Sequence, residues 1–174
     1  MRRKIVSVTD ASLREKSKPI KKIDKKVKAL IKDLKDTLNS QKDPEGVGLA
    51  APQIGKNYRV FAIKPKDEIK IFVNPKIVSS SKKGGKKKDS KQKYMEGCLS
   101  LPHYYGPLRR LNKITIKYTT EKGKQKKETL TGFPAHIVQH EIDHLNGIIF
   151  VDRLLEQDKP LYELVDDEWQ EVDI

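Results

Sequence analysis

The sequence is short of cysteine, of long apolar stretches and of arginine. Its single cysteine among 174 residues, Cys98, excludes a disulfide within the chain. No stretch approaches the roughly 20 apolar residues of a membrane-spanning helix, and the apolar run after the basic residues 1–4 is too short for the core of a signal peptide. One oxidisable thiol and no membrane segment are typical of the reducing cytoplasm, so we expect that location and no membrane partner.

The scarcity of arginine limits the kinds of partner that the positive charge can indicate. The net charge is +13, yet lysines outnumber arginines 30 to 7 and aromatic residues make up only 6% of the chain. Sequence-specific recognition of nucleic acid relies on arginine and interleaved aromatic side chains, so we expect no such partner. The densest basic segment, residues 79–93, holds seven lysines with serine and glycine, a composition typical of a flexible, inserted loop. Its lysines either cover a solvated surface or weakly attract polyanions such as ribosomal RNA.

The segment Gln139–Leu145 contains the pattern His-Glu-x-x-His. On a helix, His140 and His144 lie one turn apart on the same face, where both imidazoles can bind one metal ion with Glu141 beside it. Nearby proline and glycine residues suit the two ends of such a helix. His136 forms a second pair with His140 at the same spacing, but only His140 and His144 enclose a glutamate. The pattern therefore predicts a metal site in which Glu141 carries protons.

A catalytic metal site needs a third protein ligand and an open position. Cys98, in a glycine-flanked and uncharged turn, is the first candidate. A carboxylate downstream of His144 would instead define a zinc endopeptidase, for which the available residues are Glu156, Asp158 and Glu163. In a third interpretation, the chain is a basic ribosome- or RNA-binding protein whose metal only holds the fold. Neither alternative accounts for the block Gly46–Gln53, which is small, apolar and uncharged within a lysine-rich sequence.

Taken together, the blocks around Gly46–Gln53, Cys98 and His140 resemble the peptide deformylase family. The resemblance implies a hydrolase that removes the N-terminal formyl group from the formylmethionine of newly synthesised polypeptides and releases formate. It implies one divalent metal ion, ferrous iron in the cell, with Zn(II), Ni(II) or Co(II) as possible substitutes. The implied partners are nascent peptides and, transiently, the ribosome. The implied metal ligands are Cys98, His140 and His144.

The resemblance also assigns catalytic roles. A metal-bound hydroxide would attack the formyl carbon, with Glu141 acting as general base and then as general acid. The side-chain amide of Gln53 and the backbone N–H of Leu99 would stabilise the oxyanion. Around the site, Glu96 is expected to form an ion pair with Arg109 or Arg110, and Asp143 to support the metal ligands or to act as a structural partner.

The implied substrate-binding residues line a peptide site and an apolar side-chain pocket: Val47, Gly48, Phe133, His136 and Ile137. The main chain of Val47 and Gly48 would pair with the substrate peptide as with an added strand. Two positions depart from the family pattern, because an apolar residue is expected in place of His136 and an arginine in place of Tyr105. These departures concern the shape and side-chain preference of the pocket.

Hydrophobic periodicity predicts an α+β fold. Apolar residues recur at helical spacing from Ile20 to Leu38, which indicates an N-terminal amphipathic helix that begins at Pro19 and ends near Asn39. Strand-like runs follow at residues 58–63, 70–74, 113–118 and 126–131. We predict a single catalytic domain over residues 1–174, with mostly antiparallel sheet packed around the central metal-binding helix.

Two further segments carry their own expectations. Residues 101–107 contain proline, histidine and glycine, which predict an irregular loop in which His103 has no catalytic role. Residues 156–174 form an acidic C-terminal tail. We expect this tail to dock through its apolar residues, Leu161, Tyr162, Leu164, Val165 and Trp169.

Overall fold

Two antiparallel sheets and three helices make up the part of the chain that the computed structural model describes, residues 1–80 and 94–174. The helices are α1 (Lys25–Ser40), α2 (Phe133–Leu145) and α3 (Phe150–Glu156). The strands are β1 (Gly48–Ala50), β2 (Val60–Ile63), β3 (Lys70–Ser80), β4 (Glu96–Cys98), β5 (Leu101–Gly106), β6 (Lys113–Thr119), β7 (Gln125–Thr131), β8 (Leu161–Val165) and β9 (Glu168–Val172). One sheet has the order β1-β2-β3-β6-β7 and the other β4-β5-β8-β9. The predicted α+β fold with antiparallel sheet is confirmed.

The lysine-rich segment predicted to be a loop is only partly covered by this description. Residues 79 and 80 are the last two residues of β3, whereas residues 81–93 lie outside the described residues. Within the described ranges, none of the helices has the length and apolar character that a membrane-spanning segment needs.

The first helix begins at Lys25 and not at Pro19. Asp24 caps it, because its carboxylate accepts a hydrogen bond of 2.9 Å from a backbone N–H of the first turn, an interaction that typically contributes about 1 kcal/mol. Ile20 is nevertheless buried. It is held outside the helix by the side chain of Asn74, which accepts from the backbone N–H of Ile20 at 2.8 Å and donates to its carbonyl at 2.7 Å. The apolar stripe thus predicted burial correctly, while the cap determined where the helix starts.

The five-stranded sheet is buried on both faces in its central part. In β2, Val60 and Ala62 pack in the cluster under α1, whereas Phe61 and Ile63 pack in the cluster under α2. A strand covered on both sides has an unbroken apolar sequence, as β2 does. Helix α2 is itself largely enclosed, since ten of its 13 residues are buried. The helix that carries His140 and His144 is therefore the central helix of the fold.

The second sheet contains segments that the sequence did not identify as strands. The prediction of an irregular loop at residues 101–107 was wrong, because β5 occupies most of that segment and pairs with both β4 and β8. These pairings override the local turn signals. The acidic tail forms the hairpin of β8 and β9. Within it Leu161 is buried against α3, whereas the side chain of Trp169 is half exposed.

Candidate active site

Three potential metal ligands meet where the end of β4 faces the middle of α2. The Sγ atom of Cys98 lies 3.2 Å from Nε2 of His144, and that nitrogen lies 3.2 Å from Nε2 of His140. The three ligand atoms fall within 4.8 Å of one another, and all three residues are buried. Among residues 1–80 and 94–174 this is the single group of three or more such side chains close enough to hold a metal ion. The downstream acids considered for an endopeptidase do not join it.

The donor atoms of this cluster fit a divalent metal. One thiolate and two imidazoles are a ligand set of catalytic sites with three protein ligands. Burial alone would raise the pKa of the Cys98 thiol, but the charges and hydrogen bonds of His144 and His140 hold that pKa well below its ordinary value. Burial likewise would lower the pKa of His140, and the neighbouring charges of Glu96 and Cys98 raise it well above its ordinary value. These charges therefore favour the thiolate form of Cys98 that binds a cation, whereas a metal would have to displace the proton that Glu96 and Cys98 favour on His140.

Glu96 fixes the orientation of His140 from behind. Its Oε1 atom lies 2.7 Å from Nδ1 of His140, so the Nε2 atom of that ring points toward the cluster. Arg110 binds the same carboxylate through two hydrogen bonds of 2.6 Å and donates a third, of 2.9 Å, to Asp143. Burial would raise the pKa of Glu96, but the hydrogen bonds from Arg110 and the charge of His140 hold it well below its ordinary value. The structure thus pairs Glu96 with Arg110, one of the two arginines proposed, and gives Asp143 a structural partner.

Glu141 places a buried carboxyl group beside the cluster. Only 2% of the residue is exposed, and its Oε2 atom has no hydrogen-bond partner within residues 1–80 and 94–174. Burial raises the pKa of Glu141 to about 7. Gly48 lies directly against it, since a Cβ atom at position 48 would overlap the carboxylate and come within 2.9 Å of Ile137. A carboxyl group with a pKa near neutrality is suited to accept and return a proton.

Gln53 lies beside Cys98, in a short 3₁₀ turn that follows β1. Its Oε1 atom accepts a hydrogen bond of 2.8 Å from the backbone N–H of Ala50. This contact directs the amide nitrogen inward, where it lies 3.4 Å from Cys98 Sγ and 3.2 Å from Ser100 Oγ. The amide N–H groups of Gln53 are therefore held at the cluster.

A cleft of about 190 Å³ opens onto these groups. Except for His144, which is buried and does not line the cleft, the structure brings the predicted site residues together in its lining: Val47, Gly48, Gln53, Cys98, Leu99, Phe133, His136, Ile137, His140 and Glu141. His103, Tyr104 and Tyr105 of β5 also line it.

Tyr94 is a lining residue that the sequence did not reveal. Its ring packs against Phe133 and His136, with centroid distances of 5.2 and 5.3 Å. It follows the lysine-rich segment, where no periodic pattern marks it.

A buried thiol, two imidazoles and a buried carboxyl group beside a cleft are typical of a metal-dependent hydrolase. Comparison with known proteins gives the family. A family model described as polypeptide deformylase matches residues 2–160. A peptide deformylase from Dehalococcoides mccartyi is 37% identical over 172 residues, which cover 97% of this chain and 96% of that protein. One from Pseudothermotoga lettingae is 37% identical over 155 residues, covering 87% and 82%.

Solved structures agree with the sequence comparisons. The crystal structure of a peptide deformylase from Legionella pneumophila matches with a TM-score of 0.76 and 42% identity, over 88% of this chain and 86% of that chain. That of the enzyme from Thermotoga maritima matches with a TM-score of 0.78 and 33% identity, over 88% and 97%. The chain belongs to the peptide deformylase family. It is an enzyme that removes the formyl group from the N-terminus of a polypeptide.

Proposed function

We propose that this enzyme acts on the formylmethionyl N-terminus of newly made polypeptides and that the cleft above Cys98 is its active site. The observation that carries the proposal is the meeting, in one cleft, of the Cys98–His140–His144 cluster with the buried carboxyl of Glu141. A site of this kind can activate water and transfer its proton within a few ångströms.

Cys98, His140 and His144 would hold one divalent metal ion. When bound, the ion supplies Lewis acidity, which polarises a carbonyl group and makes water more acidic. We propose ferrous iron in the cell, in line with the family resemblance, because thiolate and imidazole ligands suit several divalent metals and availability decides among them. Zn(II), Ni(II) and Co(II) should occupy the same ligands.

Glu141 would transfer the proton during hydrolysis. It takes a proton as water adds to the formyl carbon, and it returns that proton to the amine nitrogen as the carbon–nitrogen bond breaks. Formate and a free N-terminal amine result. The pKa of about 7 supports both directions of transfer, since neither protonation state is strongly disfavoured near neutral pH.

Gln53 and Leu99 would stabilise the negative charge that develops on the formyl oxygen. The amide nitrogen of Gln53 is held at the cluster by the hydrogen bond that Ala50 donates to its oxygen. Leu99 follows Cys98 in the chain and lines the same cleft, so its backbone N–H would lie close to the reacting group. Fixed donors of this kind require little reorganisation during the reaction.

Strand β1 would bind the substrate main chain. It lies at the edge of the five-stranded sheet, with its only strand neighbour among the described residues, β2, on one side. Val47 and Gly48 line the cleft at this edge, so an extended peptide can add as a further strand and be bound through its backbone whatever its sequence. The first side chain would enter the pocket formed by Val47, Phe133, His136 and Ile137.

We also propose a cytoplasmic location and transient contact with the ribosome. The single thiol of Cys98 favours a reducing compartment. The net charge of +13 favours approach to polyanionic surfaces without sequence specificity.

Formate release from a formylmethionyl tripeptide, by anaerobically purified and iron-loaded protein, tests the proposal. Cys98→Ala should lose the metal, whereas Glu141→Ala should keep it and lose activity by about 100-fold or more. Glu156→Ala is the matched control, since an endopeptidase that used this acid as its third ligand would lose its metal. Absence of formate from the fully metallated wild type would overturn the proposed site and substrate.

A further inference from the structure

Three lysines lie side by side across three neighbouring strands of the five-stranded sheet. Lys76 of β3 is directly opposite Lys117 of β6, which is in turn directly opposite Lys127 of β7. All three are exposed, and none of them forms an ion pair within residues 1–80 and 94–174. Like charges that face each other on neighbouring strands destabilise a sheet. This lysine row is therefore not explained by the stability of the fold.

The lysine row lies on the solvent face of these strands. Ile114 and Ile116 of β6 pack in the cluster under α2, so the residues that alternate with them point to the other face. On that face, the residues of β6 and their partners on β7 are lysine, threonine or glutamine. They include no acidic, aromatic or aliphatic residue. This part of the sheet is thus basic and rich in hydrogen-bonding groups.

A groove of about 730 Å³ continues this face toward the residues that precede α1. Thr119 and Gln125, which lie on the same face as the lysine row, belong to its lining. The one acid in the lining, Glu121, is paired with Lys35 at 2.6 Å. Four exposed lysines also line the groove: Lys21, Lys22, Lys28 and Lys122. The lysine row and the groove together form one basic surface.

The composition of the basic surface indicates the kind of partner that it fits. Lysine binds phosphate as a point charge, and the release of counterions from a nucleic acid favours such binding. Single-stranded nucleic acid is usually held by stacking of its bases on aromatic side chains, and a membrane surface by apolar side chains that enter the lipid. The outward residues of β6 and β7 offer neither. Lysine, hydroxyl and amide groups instead suit a duplex, whose phosphates and 2′-hydroxyl groups are accessible from outside.

We propose that the basic surface binds the backbone of double-stranded RNA without reading its sequence. The inference rests on the proposed function, because it gives the proposed contact with the ribosome a location on the molecule. None of the lysines of the basic surface lines the catalytic cleft. RNA and a formylated peptide can therefore be bound at the same time.

The test measures binding of the iron-loaded protein to a fluorescently labelled RNA duplex of about 20 base pairs at several salt concentrations. One variant replaces the three lysines of the lysine row by glutamine. The matched control replaces Lys16, Lys56 and Lys66 by glutamine, since these exposed lysines lie outside the basic surface. Both variants have a net charge of +10 in place of +13. Attraction by the overall charge alone would therefore affect them equally.

We expect the wild type to bind the duplex with a Kd in the micromolar range at about 100 mM salt. Loss of the lysine row should weaken binding about tenfold or more. It should also reduce the slope of log K against log salt concentration by about 2–3, which is about one for each lost phosphate contact. The control should change the affinity by less than about threefold. The variant without the lysine row should also unfold at a higher temperature than the wild type, because like charges no longer face each other.

Equal effects of the two variants, or no binding of the wild type at about 50 mM salt, would overturn the proposal. Binding of the wild type to vesicles that contain phosphatidylserine, but not to the duplex, would also overturn it, since the partner would then be a membrane. If the variant without the lysine row does not fold, Lys117→Gln alone decides. A slope reduced by about 1 supports the proposal, and an unchanged slope refutes it.

Formate release from the formylmethionyl tripeptide separates this inference from the proposed function. It should be the same in the wild type and in both variants, since none of the substituted lysines lines the cleft. Absence of formate from all three proteins would contradict the proposed function, while the comparison of their RNA affinities would still support or refute the basic surface.

Discussion

The buried carboxyl of Glu141 should make the protein without metal less stable as the pH rises. The pKa of this group is raised by burial from its ordinary 4.5 to about 7. A carboxyl group with a raised pKa binds its proton more tightly in the folded than in the unfolded state. Its protonation therefore favours folding below pH 4.5, and this contribution is lost as the pH rises toward 7. The loss amounts to about 3 kcal/mol above pH 7, at about 1.4 kcal/mol per pH unit.

Glu141→Gln isolates this effect because glutamine keeps the shape of the side chain and cannot ionise. For protein stripped of metal, the free energy of unfolding of the variant should exceed that of the wild type by about 3 kcal/mol at pH 8 and by little at pH 4. Urea denaturation between these pH values measures the difference. Glu156→Gln is the control, since the Glu156 side chain is 57% exposed and its effect should change little with pH.

Two results would refute this reasoning. A difference between Glu141→Gln and the wild type that stays constant from pH 4 to 8 would mean that the carboxyl is not perturbed by burial. A variant less stable than the wild type at pH 8 would mean that the ionised carboxylate has a stabilising partner. Iron-loaded Glu141→Gln should release no measurable formate in either case, so stability and catalysis are separable at this position.

Three further predictions concern other parts of the site. Gly48→Ala should lower kcat at least about 100-fold with unchanged metal content, because its Cβ would displace the Glu141 carboxylate; near-normal kcat would contradict this. Arg110→Ala should lower the free energy of unfolding in urea by about 3–5 kcal/mol, because the buried carboxylate of Glu96 loses its arginine, while Asp143 keeps Arg153; a loss below about 1 kcal/mol would show that water replaces it. The single tryptophan, Trp169, has its ring centroid 5.3 Å from that of Tyr105, which lines the cleft. Binding of a deformylated product peptide should therefore change the tryptophan fluorescence; unchanged fluorescence at saturation would place the peptide elsewhere.

The site residues that could be predicted from the sequence are those that lie close together in the chain. His140, Glu141 and His144 lie within one helical turn or so, and the helix around them has a proline at its start and a glycine after its end. Cys98 and Gln53 are distant in the chain, and no local rule joins them to that helix. Their positions were inferred from resemblance to a family, and the structure brings them to the same cleft.

Elements fixed by long-range pairing were the least predictable. β5 contains Pro102 and a residue with positive φ, His103, both of which weaken a strand signal. Its partner β8 begins at Leu161, far along the chain, so only the folded sheet provides the missing hydrogen bonds. The start of α1 was predicted wrongly for a local reason. Ile20 continues the apolar stripe, but the helix begins only after its N-cap at Asp24, four residues later.

Glu96 shows why the charge arrangement of the site could not be predicted from spacing. In the sequence it is a single acid two residues before Cys98. In the structure its carboxylate accepts two hydrogen bonds from Arg110, holds Nδ1 of His140 and lies beside Nε2 of His136. The carboxylate of Glu96 thus orients the metal ligand His140 and also restrains the pocket residue His136. A polar residue at position 136 therefore depends on a partner that the catalytic site already needs. The imidazole of His136 is tolerated in an otherwise apolar wall for that reason.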